Sequence, residues 1–246
     1  NIAGGKTDRV VENKVEQETE IMANGEIIDT VTLIKDHKGK VGDVFEGQTN
    51  TDYVRFYVPQ GSKLISATGF DALPEGRQFL TATSGVEIDP DLARVEGNLR
   101  VDQESDTRIT DEFGKTSFGN WITVAPGETK KVTIKYLLPW HIDNSQVRMS
   151  AEEEDKEENF WSLLKKYFGK QQETKQSTGG NHIYGLLIQK QPGSGDTQFV
   201  STLKVDDKWT VDGYLPKEGI ETSGDALEIK FELDGDKYYG AAIRGK

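Results

Sequence analysis

The sequence has no cysteine among its 246 residues. That excludes disulfides, thiolate metal sites and cysteine nucleophiles together. It leaves the compartment open, because envelope proteins of bacteria also do without the residue. Histidine is scarce. His37, His141 and His182 stand alone, none with a second histidine or a carboxylate at the i+3 or i+4 spacing of a helical metal site. They read as solvated loop residues, with a metal shared by His141 and His182 as the rival reading. No run approaches the roughly 20 apolar residues that cross a bilayer. No Gly-x-Ser-x-Gly elbow occurs, which removes the hydrolase motif a sequence shows best. Gly4-Gly5-Lys6-Thr7 and Gly114-Lys115-Thr116 both lack the leading glycine of a phosphate-binding loop. The first reads as an N-terminal lead and the second as a hairpin turn. Basic residues are outnumbered, 30 Lys and Arg against 42 Asp and Glu, for a formal net charge of -12. Such a balance argues against nucleic acid as a partner and against adsorption to anionic lipid by charge.

What the chain does have is strand pattern. From Thr107 to Pro139 it reads strand, turn, strand, turn, strand. Trp121 to Val124 is short and β-rich, and Ala125-Pro126-Gly127-Glu128 is a turn. Val132, Ile134, Tyr136 and Leu138 then alternate with Thr133, Lys135 and Leu137, the period of a strand with one buried face. Upstream, Val10 to Ile21 and Ile27 to Lys35 form a hairpin about Ala23-Asn24-Gly25, because Asn-Gly tolerates positive φ. Tyr53 to Val58 is a strand, and Val54, Phe56 and Val58 join Trp121, Val132, Ile134 and Tyr136 in the expected core. The stretch from Gly69 to Gly97 is rich in Pro and Gly and reads as a long loop with room for one short strand.

The β pattern breaks between Ser150 and Gly169. Phe160, Trp161, Leu164, Tyr167 and Phe168 recur at the spacing of one helical face, with acids at its start and lysines at its end. A polar linker follows to Gly180. From Asn181 the β pattern returns, in about five strands, near the lower size limit for a unit that folds alone. The predicted class is therefore all-β: an immunoglobulin-like antiparallel β-sandwich over 1–140, a helical insertion and linker over 141–182, and a second small β unit over 183–246 packed on the first. The chain begins at Asn1 rather than Met. The expectation is a fragment of a larger protein, with any signal peptide or membrane anchor outside it.

Three phrases, YVRFYVPQGSKLISATGF, EFGKTSFGNWITVAPGETKKVTIKYLLP and IYGLLIQKQPG, resemble the C-terminal extracytoplasmic part of a bacterial membrane-anchored family, domain-of-unknown-function family 4012. The resemblance covers most of Asn1 to Val205, while the insertion from Ile142 to Gly180 falls outside its pattern. It implies a place outside the cytoplasmic membrane, tethered by a segment beyond this chain, and an immunoglobulin-like β region. It implies no activity and carries over no functional residue.

Two groups of residues are candidate sites. Asp102, Glu104 and Asp106 put three carboxylates on one face of an extended stretch, the oxygen donors that Ca²⁺ takes in sandwich loops. The plainer reading is a solvated acidic edge that deters strand-to-strand aggregation. The aromatic face of Phe160, Trp161, Leu164, Tyr167 and Phe168 docks on the chain's own sheet, meets a partner or a second copy, or, as a third reading, inserts at a membrane surface. No catalytic residue is assigned and no cofactor other than Ca²⁺ is considered. The sequence thus reads as a non-enzymatic structural or interaction module of an envelope protein, with a protein or cell-wall component as partner. Its rivals are a carbohydrate-active protein working through loop carboxylates and a Ca²⁺-dependent binding module at the cell wall.

Overall fold

A computed structural model describes residues 6–72, 87, 89–142, 181–191, 195–216, 219–223 and 226–246. The aromatic face from Phe160 to Phe168, with the helix predicted around it, lies outside the described residues. The fold is all-β, with fourteen strands in three sheets among the described residues. Strands are numbered in chain order. The largest sheet runs β12 (Ile220–Ser223), β13 (Ala226–Glu232), β10 (Thr197–Val205), β1 (Val11–Ile21), β2 (Glu26–His37), β8 (Thr129–His141), β4 (Lys63–Thr68). A four-stranded sheet runs β3 (Asn50–Pro59), β7 (Lys115–Val124), β6 (Arg108–Glu112), β5 (Gly97–Val101). A three-stranded sheet runs β11 (Trp209–Leu215), β14 (Lys237–Gly245), β9 (Asn181–Ile188).

The turns form where the residues permit them. β1 and β2 meet at Asn24-Gly25, where Gly25 takes φ 84°. β7 and β8 meet at Pro126-Gly127, where Gly127 takes φ 79°. Pairing is antiparallel throughout except between β1 and β10, which run parallel. A parallel pair needs a long connection, and these strands lie at opposite ends of the chain. The sheet therefore draws strands from both sides of the stretch 143–180.

Both small sheets cover one face of the large one. On β2, alternation puts Ile27, Asp29, Val31, Leu33, Lys35 and His37 on a common side. Thr19, paired with Asp29, touches Tyr184 of the three-stranded sheet, and Lys35 touches Asn50 of the four-stranded one. The result is a sandwich with one long layer and one split layer. A continuous apolar core lies between them and includes Ile21, Ile27, Phe118, Ile134, Leu203, Tyr239 and Ile243. The opposite face of β1 carries Lys14, Glu16, Glu18 and Glu20, in ion pairs at the surface.

Several expectations need correction. Val58, Val132, Ile134 and Tyr136 are buried, but Val54, Phe56 and Trp121 are only partly so. Val54 and Phe56 share the inner side with Val58, and Phe56 packs against the core with its ring edge-on to Phe70. Trp121 is on the outer face, its ring 5.1 Å from that of the buried Tyr53. Gly119 makes room for Tyr53, since a Cβ there would fall 2.1 Å from the phenol oxygen. A short helix, Pro90–Val95, lies in the stretch read as loop. Asp89 caps it by accepting from the Asp91 amide at 2.8 Å, and Pro90 opens it with φ already set.

Candidate functional site

The three histidines lie in strands rather than loops, and of them only His141 is exposed. His37 ends β2 and is fully buried. Its Nδ1 accepts from the Gly39 amide at 3.1 Å, which assigns the proton to Nε2, donated to the Gln48 carbonyl at 2.9 Å. His37 thus fastens both ends of the loop between β2 and β3. His182 is in β9, edge-on to Trp209, and His141 is in β8 and exposed. Asp102 accepts from the amide and the hydroxyl of Ser105 at 3.0 and 2.6 Å, a turn held by its own side chain. Glu104 and Asp106 are exposed beside it. Among the described residues no group of three or more His, Cys, Asp or Glu is arranged to hold a metal ion.

Two of the three polar clusters described below lie inside the sandwich. The first cluster joins the seven- and three-stranded sheets. Asp29 accepts from Thr19 Oγ1 at 2.5 Å and Gln17 Nε2 at 3.1 Å, and from the Tyr136 hydroxyl. Thr19 Oγ1 lies 2.7 Å from the Tyr184 hydroxyl. Ser201 donates to Gln17 Oε1 and is 2.5 Å from the Tyr239 hydroxyl. Burial pushes the Asp29 carboxyl up, against the pull of its hydrogen bonds from Thr19, Tyr136 and Gln17. Burial also raises Tyr136 and Tyr184 well above the usual phenol range, with the Asp29 charge adding to both. It takes Tyr239 up to about 12. A raised carboxyl among hydroxyls has the chemistry of a general acid. Here, however, every member is buried and turned toward another member.

The second cluster joins the seven- and four-stranded sheets. Lys35, at 5% exposure, points its Nζ at Asn50 Oδ1, 2.7 Å away, and contacts Asp52 Oδ2. Asn50 Nδ2 donates to Thr7 Oγ1 at 3.1 Å and to Asp8 Oδ1 at 2.7 Å. Asp52 is 2% exposed and its second oxygen, Oδ1, is buried with no hydrogen-bond partner. Burial pushes the Lys35 amine down to about 8, with the Asp8 charge pulling the other way. A third cluster lies on the outer face of the four-stranded sheet, where Tyr57 and Thr110 donate to the buried Glu112 at 2.8 and 2.5 Å and Arg55 bridges Glu112 and Glu96.

None of these clusters was visible as a motif, since their members are far apart in the chain. One signal was present. Asp29 and Lys35 share parity with Ile27, Val31 and Leu33, so a polar residue on the core-facing register marks a buried interaction.

No protein-family model matches the chain, and no curated protein matches it. Among solved structures, it is similar to the M1 zinc metallopeptidase of Deinococcus radiodurans at 7% identity and TM-score 0.32, over 96% of this chain and 42% of that one. A mutant of that enzyme bound to a Tyr-Ser-Ala substrate matches at 8% identity and TM-score 0.33, over 96% and 43%. Aminopeptidase A of Legionella pneumophila, in complex with aspartic acid, matches at 7% identity and TM-score 0.33, over 96% and 21%. The chain spans less than half the length of these proteins. Likeness at this level carries no argument about what the chain does.

Proposed function

We propose that this chain is a non-enzymatic structural module of a larger bacterial envelope protein, held outside the cytoplasmic membrane by a segment beyond this chain and meeting a protein or cell-wall component. One observation carries the reading. The deeply buried ionisable side chains Asp29, Lys35, Asp52 and Glu112 each make a polar contact with another strand of the same fold. Groups used to fasten strands together suit a module that must hold its shape. The test has two arms. Protease added to intact cells should digest the tagged full-length protein, and protection until lysis would sink the placement. Purified chain incubated with cell-wall polysaccharide should release no more soluble sugar than a heat-denatured control, and an excess would sink the non-enzymatic reading.

A second reading, binding of cell-wall carbohydrate, has its own observation. Trp140 is 53% exposed. It borders a depression shared with Glu26, Lys63, Pro139 and His141. An aromatic face beside polar groups is a surface on which a sugar ring stacks. Trp140→Ala should abolish co-sedimentation with cell-wall material if this reading holds, and unchanged sedimentation would retire it.

A further inference from the structure

We propose that Lys35 and Asn50 react with one another, forming an intramolecular amide between the two side chains with Asp52 as the group that moves the protons. Three functional groups meet in one dry enclosure. The nucleophile is the Lys35 amine. The electrophile is the Asn50 carboxamide, whose carbonyl carbon is one bond beyond the oxygen that Nζ touches at 2.7 Å. Thr7 and Asp8 hold Nδ2 at 3.1 and 2.7 Å, which fixes the carboxamide with its oxygen toward the amine. Asp52 contacts Nζ through Oδ2. Its Oδ1 is buried without a partner, so one carboxylate oxygen is open to take up a proton.

The surroundings favour the reaction. Asn50 is 0% exposed and Asp52 2%, so water neither solvates the amine nor competes as nucleophile. Burial that holds Lys35 near 8 enlarges the neutral, nucleophilic fraction at physiological pH. Strands β2 and β3 fix the reactants in contact, which replaces a bimolecular encounter by an effectively unimolecular step. The balance closes without an oxidant or cofactor. Asp52 takes a proton from the Lys35 amine, the Nζ–Cγ bond forms and the Cγ–Nδ2 bond breaks. The proton passes from Asp52 to the departing nitrogen, which leaves as ammonia. In a chain with no cysteine, the product is a covalent tie between two sheets, resistant to reductants. It does not depend on where the protein resides in the cell.

Intact mass of the purified full-length protein under denaturing conditions tests it. The expected mass is that of the sequence less one ammonia. Trypsin cuts after Lys38 and Lys40, between the two residues, and should leave a branched peptide joining the segment that carries Lys35 to the segment that carries Asn50. Lys35→Ala and Asp52→Ala should each show the full mass of its own sequence and no branched peptide. Asn50→Asp should form the same link with loss of water. An unmodified wild-type mass overturns the proposal. So does ammonia lost within an unbranched peptide, such as that carrying Asn24-Gly25. A branch at Asp52 with loss of water would overturn Asn50 as the electrophile.

Discussion

Strand β2 meets two neighbours across the sandwich and is joined to them in different ways. Near its start, Asp29 enters a shared network of hydroxyls and amides from five other strands. Near its end, Lys35 meets one carboxamide and one carboxylate. In the first junction the polar atoms are mostly neutral, and each can both give and take a hydrogen bond. Losing one member leaves the others able to rearrange. In the second junction the attraction is concentrated on one buried amine, whose partners of opposite charge among the described residues are Asp52 and Asp8. A network tolerates loss, whereas a pair does not. The difference teaches that burial of a charge needs either a neutralising reaction or an undamaged counter-charge.

The comparison breaks hardest at Asp52. Asp52→Ala should leave Lys35 as an unlinked buried amine without this counter-charge and should destabilise by about 3–5 kcal/mol in denaturant titration. A loss below about 1 kcal/mol would mean that neither a covalent link nor a counter-charge holds Lys35 at this junction. Ile134 is paired with Val31, between the two junctions, and is fully buried. Ile134→Ala should destabilise by roughly 2–5 kcal/mol, through lost transfer energy and a cavity, and should loosen both junctions together. Amide exchange that rose in only one small sheet would show that they are independent.

The two junctions should also part company in alkali. Tyr239 is raised from 10.0 to about 12, so its contribution is full below pH 10 and lost as pH climbs toward 12. Tyr239→Phe should cost about 1 kcal/mol at neutral pH, for the bond to Ser201, and should flatten that alkaline loss. An unlinked Lys35, lowered from 10.5 to about 8, would bind fewer protons folded than unfolded, and stability would rise with pH between those values. The amide abolishes that rise, so only the tyrosine loss should be seen. Asp29→Asn should have a smaller effect, within about 1 kcal/mol at neutral pH, because the acceptor oxygen remains. Burial raises the Asp29 carboxyl, so its stabilising share is present below the ordinary carboxylate range and lost as pH rises through the folded value. The substitution should remove that acid-side slope. Least of all should change on adding millimolar Ca²⁺, since Asp102 is engaged by Ser105. A melting temperature raised by the ion would show that Glu104 and Asp106 gather round it after all.

Much of the fold was legible before the structure. The hairpin at Asn24-Gly25, the turn at Pro126-Gly127 and the buried face of Val132, Ile134 and Tyr136 follow from φ preferences and alternation. The helix at Pro90 was missed, although Asp89-Pro90 is a capping signal, because the surrounding Pro and Gly content reads as loop. Trp121 was misplaced because size and apolarity suggest burial but do not say on which side of a sheet a ring finds cover. Lys35, Asn50, Asp52 and Asp29 were passed over because polar residues in a strand look like its wet face unless parity is followed through the whole strand.

The sequence by itself determined that this chain is all-β, where its tight turns fall and which residues of each strand share a side. Those properties come from local sterics, the φ freedom of Gly and Asn, the fixed φ of Pro and the two-residue period of the extended chain. Only the tertiary structure decided that β1 takes β10 as a parallel neighbour, that two small sheets share one face of a large one, and that Lys35 faces Asn50. Those choices depend on burial summed over residues distant in the chain. Closing a longer loop costs only slightly more than closing a shorter one, so chain separation leaves no local mark of which strands will meet.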